Sequence, residues 1–97
     1  MKIEVRCSPT ADGYRCAVEV GDAGSVTRHT VQVSRSDVDR WAQGRSVDRL
    51  IRRSFEFLLE REPRESILRQ FELSVIQRYF PDFDRVIKQP DPGDLPH

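Results

Sequence analysis

The chain has 97 residues, of which 37% are apolar and 33% charged, and its 16 Lys and Arg balance 16 Asp and Glu. This length fits one domain and leaves little room for a second independent core. Zero net charge excludes a whole-protein field that would draw the chain to nucleic acid or an anionic membrane, so such binding would need a local patch.

Targeting signals are not visible in the sequence. Residues 1–3 already fit a strand rather than the basic start of a signal peptide, and no apolar run approaches membrane-spanning length. We therefore expect a cytoplasmic protein without membrane contact. Two cysteines do not make a secreted disulfide framework, so we expect Cys7 and Cys16 to be reduced thiols. A disulfide between them ranks second, because opposed strand residues lie somewhat too far apart for relaxed bridge geometry.

The first third of the chain alternates between apolar and polar residues, as strands with one buried face do. The apolar positions are Met1, Ile3, Val5 and Cys7, then Tyr14, Cys16, Val18 and Val20, then His29, Val31 and Val33. Short turn signals at 9–13 and 21–24 separate the three segments. This pattern predicts a three-stranded antiparallel meander.

Helical signals follow the third strand. Ser34 or Ser36 can cap a first helix, and Gly44 supplies a left-handed stop. Ser46 can cap the longest helix, predicted from residue 47 to about 61. Its core stripe consists of Val47, Leu50, Ile51, Ser54, Phe55 and Leu58.

The C-terminal third predicts shorter helices. Pro63 ends the long helix, and Ser74 with Gln77 matches a capping box for a helix that Pro81 interrupts. We expect one α+β domain over residues 1–88, with a three-stranded antiparallel β-meander followed by three or four helices packed on one sheet face. Residues 89–97, rich in proline, are expected to form a disordered tail.

Two segments resemble known families. The segment SFEFLLEREPRESILRQFELSVIQRYFPDF, residues 54–83, resembles a family of small bacterial proteins known mainly as uncharacterised sequences. This resemblance extends back toward His29 and implies a bacterial cytosolic protein, but it transfers no activity, cofactor or catalytic residue. The hairpin DGYRCAVEV, residues 12–20, resembles that of HicB-type antitoxins, which neutralise a toxin partner and often regulate transcription. The helix around Trp41 and the aromatic C-terminal half depart from the antitoxin pattern.

Cys7, Cys16 and His29 fall on the inward faces of the predicted strands, where two thiolates and an imidazole could bind zinc. Their spacing matches no common zinc motif and no fourth ligand is evident, so we expect no metal and no cofactor. Catalysis needs a nucleophile or a tuned base, and the only histidine before the tail is predicted mid-strand. We therefore predict no catalytic residue and no enzymatic activity.

Nucleic-acid binding is also not expected. Residues 66–80 superficially suggest a helix-turn-helix with Gln77 and Arg78 facing bases, but the helices are too short and Asp82 and Asp84 follow directly. A second candidate is a basic patch of Arg61, Arg64 and Arg69. Glutamates are interleaved with these arginines, which favours self-compensated surface charge.

The leading functional hypothesis is a non-enzymatic protein-interaction module that binds a partner protein or a second copy of itself as a homodimer. Its expected surface is either a sheet edge or the aromatic cluster Tyr79, Phe80 and Phe83. The alternative is an antitoxin-like or DNA-associated transcriptional regulator.

Overall fold

The computed structural model describes residues 2–89 as one sheet with helices on one of its faces. The strands are β1 Lys2–Pro9, β2 Gly13–Asp22, β3 Ser25–Ser34 and β4 Gln70–Glu72. The helices are α1 Arg35–Trp41, α2 Val47–Leu59, α3 Ser74–Tyr79 and α4 Phe83–Ile87, with a 3-10 helix at Arg64–Ser66. The predicted α+β class is confirmed. Of the predicted tail, all but Gln89 lies outside the described residues.

The antiparallel meander β1-β2-β3 forms as predicted, but the sheet has a fourth strand. β4 runs parallel to β3, with Thr30 opposite Gln70 and Gln32 opposite Glu72. The prediction of a purely antiparallel three-stranded sheet is therefore wrong in this detail. A parallel partner requires a long crossover connection, and the segment containing α1 and α2 supplies it.

The two sheet faces differ as the alternation predicts. The inner face is covered by helices and includes the buried side chains of Cys16, Val18, Val20, His29, Val31 and Val33. The outer face carries polar and charged residues, among them Glu4, Arg6, Arg15 and Arg28, and these are exposed. No helix within residues 2–89 is long and apolar enough to cross a membrane.

Side-chain hydrogen bonds cap the first residues of both α1 and α2. The Ser34 hydroxyl accepts from the Asp37 amide at 3.1 Å, and the Ser46 hydroxyl accepts from the Arg49 amide at 3.3 Å. Gly44 has a φ of 83°, the left-handed conformation predicted for the turn. α2 ends at Leu59, two residues before the expected end, and buries Leu50, Ile51, Ser54, Phe55, Phe57 and Leu58.

The predicted capping box at α3 is wrong. Leu73 occupies the N-cap of α3, and no side-chain hydrogen bond caps that helix. Gln77 instead accepts from the Asp84 amide at 2.8 Å and donates to the Pro81 carbonyl at 2.8 Å. Its side chain therefore closes the turn between α3 and α4, where it also satisfies an amide at the start of α4.

The cysteines are joined in a disulfide, so the expectation of reduced thiols is wrong. Cys7 lies opposite Cys16 in the β1–β2 ladder, and their Cα atoms are 4.0 Å apart. Opposed residues in an antiparallel ladder alternate between wide hydrogen-bonded pairs and narrow pairs. The short Cα separation marks this pair as narrow, so the cysteines are not too far apart to bond.

Candidate functional site

An apolar groove opens beside β4, the shortest strand. It is a cavity of about 420 Å³ bounded by the end of α2, the segment leading into β4, and α3. Its lining comprises Leu58, Glu62, Ser66, Ile67, Leu68, Phe71, Val75, Ile76, Tyr79 and Phe80. We call this cavity the β4 groove.

Two side chains on the β4 groove are unusually exposed for their type. Tyr79 is 70% exposed and Leu68 is 51% exposed. Phe80 is half-buried, and its ring packs edge-on against Phe57 with centroids 5.9 Å apart. The groove therefore has a fixed apolar floor beneath exposed apolar side chains, an arrangement typical of surfaces that bind another molecule.

The structure separates the three predicted surface residues. Tyr79 and Phe80 line the β4 groove, but Phe83 is fully buried. The Phe83 ring packs against Trp41 at 5.1 Å and Phe57 at 5.2 Å between centroids. Phe83 therefore supports the site from the core and offers no surface to a partner.

The core beneath Phe83 is anchored by a buried indole. Trp41 donates from Nε1 to the Asp84 carboxylate at 2.8 Å, which joins α1 to α4. This hydrogen bond, and then the one from Lys88, lowers the pKa of Asp84 below its usual 3.8. The carboxylate is thus held ionised where the buried indole needs an acceptor.

His29 connects the sheet to the groove wall. Its Nδ1 lies 2.8 Å from the Leu68 carbonyl, which can only accept, and its Nε2 lies 3.0 Å from the Thr27 hydroxyl. Burial lowers the pKa of His29 below 6.5, Arg69 lowers it further, and the Leu68 hydrogen bond partly opposes both. The ring therefore donates from Nδ1 to the Leu68 carbonyl, while its Nε2 lies against the Thr27 hydroxyl, which is also 3.3 Å from the Val20 carbonyl. Both ring nitrogens are occupied, so His29 is not available as a catalytic base.

Two arginines of the candidate basic patch, Arg61 and Arg64, are engaged within the chain. Arg61 donates to the Asp82 carboxylate at 2.7 Å, and its guanidinium lies 3.6 Å from the Phe57 ring centroid. Arg64 donates to the Ser25 hydroxyl at 2.8 Å and lies 3.5 Å from the Glu65 carboxylate. These contacts agree with the expectation of compensated charge.

Two other arrangements that were weighed and not favoured in the sequence do not form among residues 2–89. Residues 66–80 contain the end of a 3-10 helix, strand β4 and a six-residue helix, so they do not form a helix-turn-helix. While the Cys7–Cys16 disulfide is formed, as in this structure, these two residues offer no thiolate to zinc. Among residues 2–89 no group of three metal-ligating side chains is found.

A second cavity, of about 480 Å³, lies where β2 begins and β3 ends. Several of its polar groups already have partners within the fold. The Ser34 hydroxyl caps α1, the Asp37 carboxylate accepts from Arg40 at 3.0 Å, and the Thr10 hydroxyl accepts from the Gly13 amide at 3.1 Å. The β4 groove, with exposed apolar groups, is the better candidate for binding.

Sequence reasoning found part of the β4 groove and missed the rest. It did not place Leu58, Ile67, Leu68, Phe71, Val75 and Ile76 around a common cavity. The alternation of Gln70, Phe71 and Glu72 was the available signal, since a strand there brings Phe71 to the groove.

Comparison with known proteins gives no relative: no family model, no curated protein and no solved structure matches this chain. The two resemblances noted in the sequence therefore stay predictions.

Proposed function

We propose that this protein is a non-enzymatic protein-interaction module whose β4 groove receives an apolar side chain from a partner protein. The observation that carries the proposal is the exposure of Tyr79, at 70%, beside an apolar cavity of about 420 Å³. Covering Tyr79 and Leu68 would remove apolar surface from water, which favours association. The half-buried ring of Phe80 gives the partner a preformed contact.

Charge supports a protein partner over nucleic acid. The chain has zero net charge, and Arg61 and Arg64 near the groove contact Asp82 and Glu65. Affinity for DNA comes largely from cations that displace counterions from phosphates. Arg61 and Arg64 are already paired within the chain and so do not favour the alternative, an antitoxin-like or DNA-associated regulator; a DNA titration separates the two functions.

The proposal includes a bacterial origin and a cytoplasmic location. The cytoplasm keeps most thiols reduced, so the Cys7–Cys16 bond would be open there. In that compartment β1 has to be held by its pairing with β2 and by packing of α2. A cytoplasmic location therefore requires the reduced protein to stay folded.

Site-specific photo-crosslinking tests the proposal in the cells that make the protein. The photoreactive amino acid p-benzoylphenylalanine replaces Tyr79 in one variant and Arg52, exposed on the outer side of α2, in a matched control. We expect a protein adduct from position 79 and none from position 52. Adding Leu68→Glu to the position-79 variant should abolish the adduct, because it puts a charge into the apolar contact.

A duplex DNA titration of the purified protein at physiological salt completes the test. Weak DNA binding together with the position-79 adduct supports the interaction module. Absence of an adduct at position 79, equal adducts at both positions, or an adduct that survives Leu68→Glu contradicts it. Tight DNA binding with a steep salt dependence would favour the regulator.

A further inference from the structure

We propose that β1 pairs with β1 of a second copy of this chain, antiparallel and centred on Val5, to form a homodimer. The inference extends the proposed function by naming one partner, and it concerns a different surface from the β4 groove. The pairing would join two four-stranded sheets into one of eight strands.

The outer edge of β1 is open for pairing. β1 has eight residues, each paired with β2 in unbroken register, and it is the first strand of the sheet order. Within residues 2–89 no strand pairs with its other side. β1 is therefore longer and more regular than the edge strands that proteins protect by shortness or bulges.

The backbone groups that face outward follow from the disulfide. Cys7 and Cys16 form a narrow pair, and the backbone groups of a narrow pair point away from each other. With a period of two, Ile3, Val5 and Cys7 direct their N–H and C=O groups away from β2. A second strand can therefore bond to these three residues without disturbing the existing ladder.

Only even-numbered shifts of register are allowed in such a pair. Ile3, Val5 and Cys7 of one copy must lie opposite the same set of residues in the other copy. If one β1 strand slipped by a single residue along the other, the inner side chains of one copy would lie on the outer face of the joined sheet. Centring the pair on Val5 sets Ile3 opposite Cys7 of the second copy and Glu4 opposite its Arg6. All residues from Lys2 to Ser8 then take part.

Charge selects this register over its neighbours. Centred on Val5, the two strands place Glu4 opposite Arg6 twice, and opposed charges of unlike sign stabilise a ladder. Centring on Glu4 or on Arg6 would place that residue opposite its own copy, which is destabilising. Centring on Ile3 or on Cys7 shortens the overlap. The charges on this edge deter unrelated strands, but they are complementary to β1 of a second copy that runs in the opposite direction.

The charges of Glu4 and Arg6 are poorly paired in a single chain, and a second copy would pair them. Glu4 lies directly opposite Glu19 in the β1–β2 ladder. Glu19 has Arg28 at 3.2 Å, whereas among residues 2–89 Glu4 has only the exposed Lys2 at 3.8 Å. Within the described residues Arg6 has no ion pair and faces Ala17. In the proposed dimer Arg6 of each copy lies beside Glu4 of the other.

The burial of apolar side chains also favours a β1–β1 dimer. The inner-face residues Ile3 and Val5 of β1 are only half-buried, whereas Val18 and Val20 of β2 are buried. α2 packs against β1, and a twofold axis through the β1 pair places the helices of both copies on the same face of the sheet. The half-buried side chains would then be covered from the neighbouring copy.

Charge reversal with light scattering over a concentration series tests the dimer. We expect the native chain to dimerise, and we expect Glu4→Arg and Arg6→Glu each to weaken dimerisation at least about tenfold, because each sets two like-charged pairs face to face. The double variant carrying both changes should regain native affinity to within about threefold, since it restores two opposite-charge pairs. Arg15→Glu, on the outer face of β2, changes net charge as Arg6→Glu does without touching the edge and should dimerise normally.

Mixing the two single variants gives the sharpest result. In the mixed pair one chain carries two cations and the other two anions at positions 4 and 6, so both contacts are attractive. We expect the mixture to form a heterodimer although each variant alone is monomeric at the same concentration. This result excludes misfolding as the cause of dissociation.

Three outcomes overturn the inference. They are a native chain that is monomeric up to about 1 mM, a dimer indifferent to both reversals, and single variants that do not recover on mixing. The proposed function fails separately, because its adduct at position 79 does not depend on β1. A crosslink at position 79 without a dimer rejects this inference alone.

Discussion

The two edges of the sheet offer different things to a partner. β1 is an eight-residue antiparallel edge whose inner residues are half-buried, whereas β4 is a three-residue parallel edge with a cavity beneath it. β1 therefore presents backbone hydrogen-bonding groups, and β4 presents apolar side chains. If both proposals hold, one sheet would combine two modes of recognition.

Specificity has to come from different sources at the two edges. Backbone groups are the same in every strand, so pairing at β1 can be selective only through side chains such as Glu4 and Arg6. At β4 the shape of the cavity and the positions of Tyr79 and Leu68 would select the proposed partner. Charge changes should therefore act mainly at β1, and changes in apolar area mainly at β4.

The largest expected effect is the loss of stability when a side chain packed beneath β4 is removed. The buried Phe55 ring lies between His29 and Phe71, with centroids 5.4 Å and 6.1 Å away. We expect Phe55→Ala to lower the free energy of unfolding by about 3–5 kcal/mol, measured by chemical denaturation. Tyr79→Ala, at an exposed position, is the control and should cost less than about 0.5 kcal/mol. Equal effects of the two substitutions would contradict the assigned core.

Breaking the disulfide should weaken the β1 edge next. Cys7 and Cys16 are nine positions apart, and a closed loop of that size is worth about 2.5 kcal/mol through the entropy of the unfolded chain. We expect reductant to lower the free energy of unfolding by that amount, and amide exchange to accelerate in β1 more than in β4. The double variant Cys7→Ser with Cys16→Ser should not respond to reductant. Equal exchange at both edges would show that the bond does not hold β1 specifically.

The smallest expected effect is a pH dependence at the β4 edge. Burial lowers the pKa of His29 below 6.5, so the unfolded chain binds a proton more readily than the folded chain. The stabilisation is complete above pH 6.5 and decreases as the pH falls from there through the lower pKa of the folded state. We expect denaturation curves of the native chain to shift over this window, with a smaller shift in His29→Gln. Identical shifts in both proteins would assign the effect to carboxylates instead.

Periodicity and capping predicted the elements whose signals are local. Alternation from Tyr14 to Val20 identified a strand and its buried face, because side chains of a strand alternate whatever lies beyond it. The sequence offered Ser34 or Ser36 as the cap of α1 and Ser46 as the cap of α2, because a hydroxyl there can accept from a free amide in the first turn. The structure confirms Ser34 and Ser46 as the caps.

The failures depended on contacts between distant parts of the chain. β4 has only three residues, and its partner Thr30 lies forty positions before Gln70. Phe83 belongs to a five-residue helix, whose periodicity does not show which side faces the core. Phe83 is buried against Trp41, which lies forty-two positions before it in the sequence. Phe83 is therefore not part of the expected aromatic surface.

The late position of β4 in the chain affects when the β4 groove forms during folding. Hairpins β1–β2 and β2–β3 join neighbouring segments, whereas β4 reaches β3 only after the crossover through α1 and α2 has closed. Closing that loop costs chain entropy before any contact repays it, so β4 should dock late in folding. The β4 groove exists only in chains that have completed this step. A partner that binds it recognises finished molecules and, by mass action, keeps them folded.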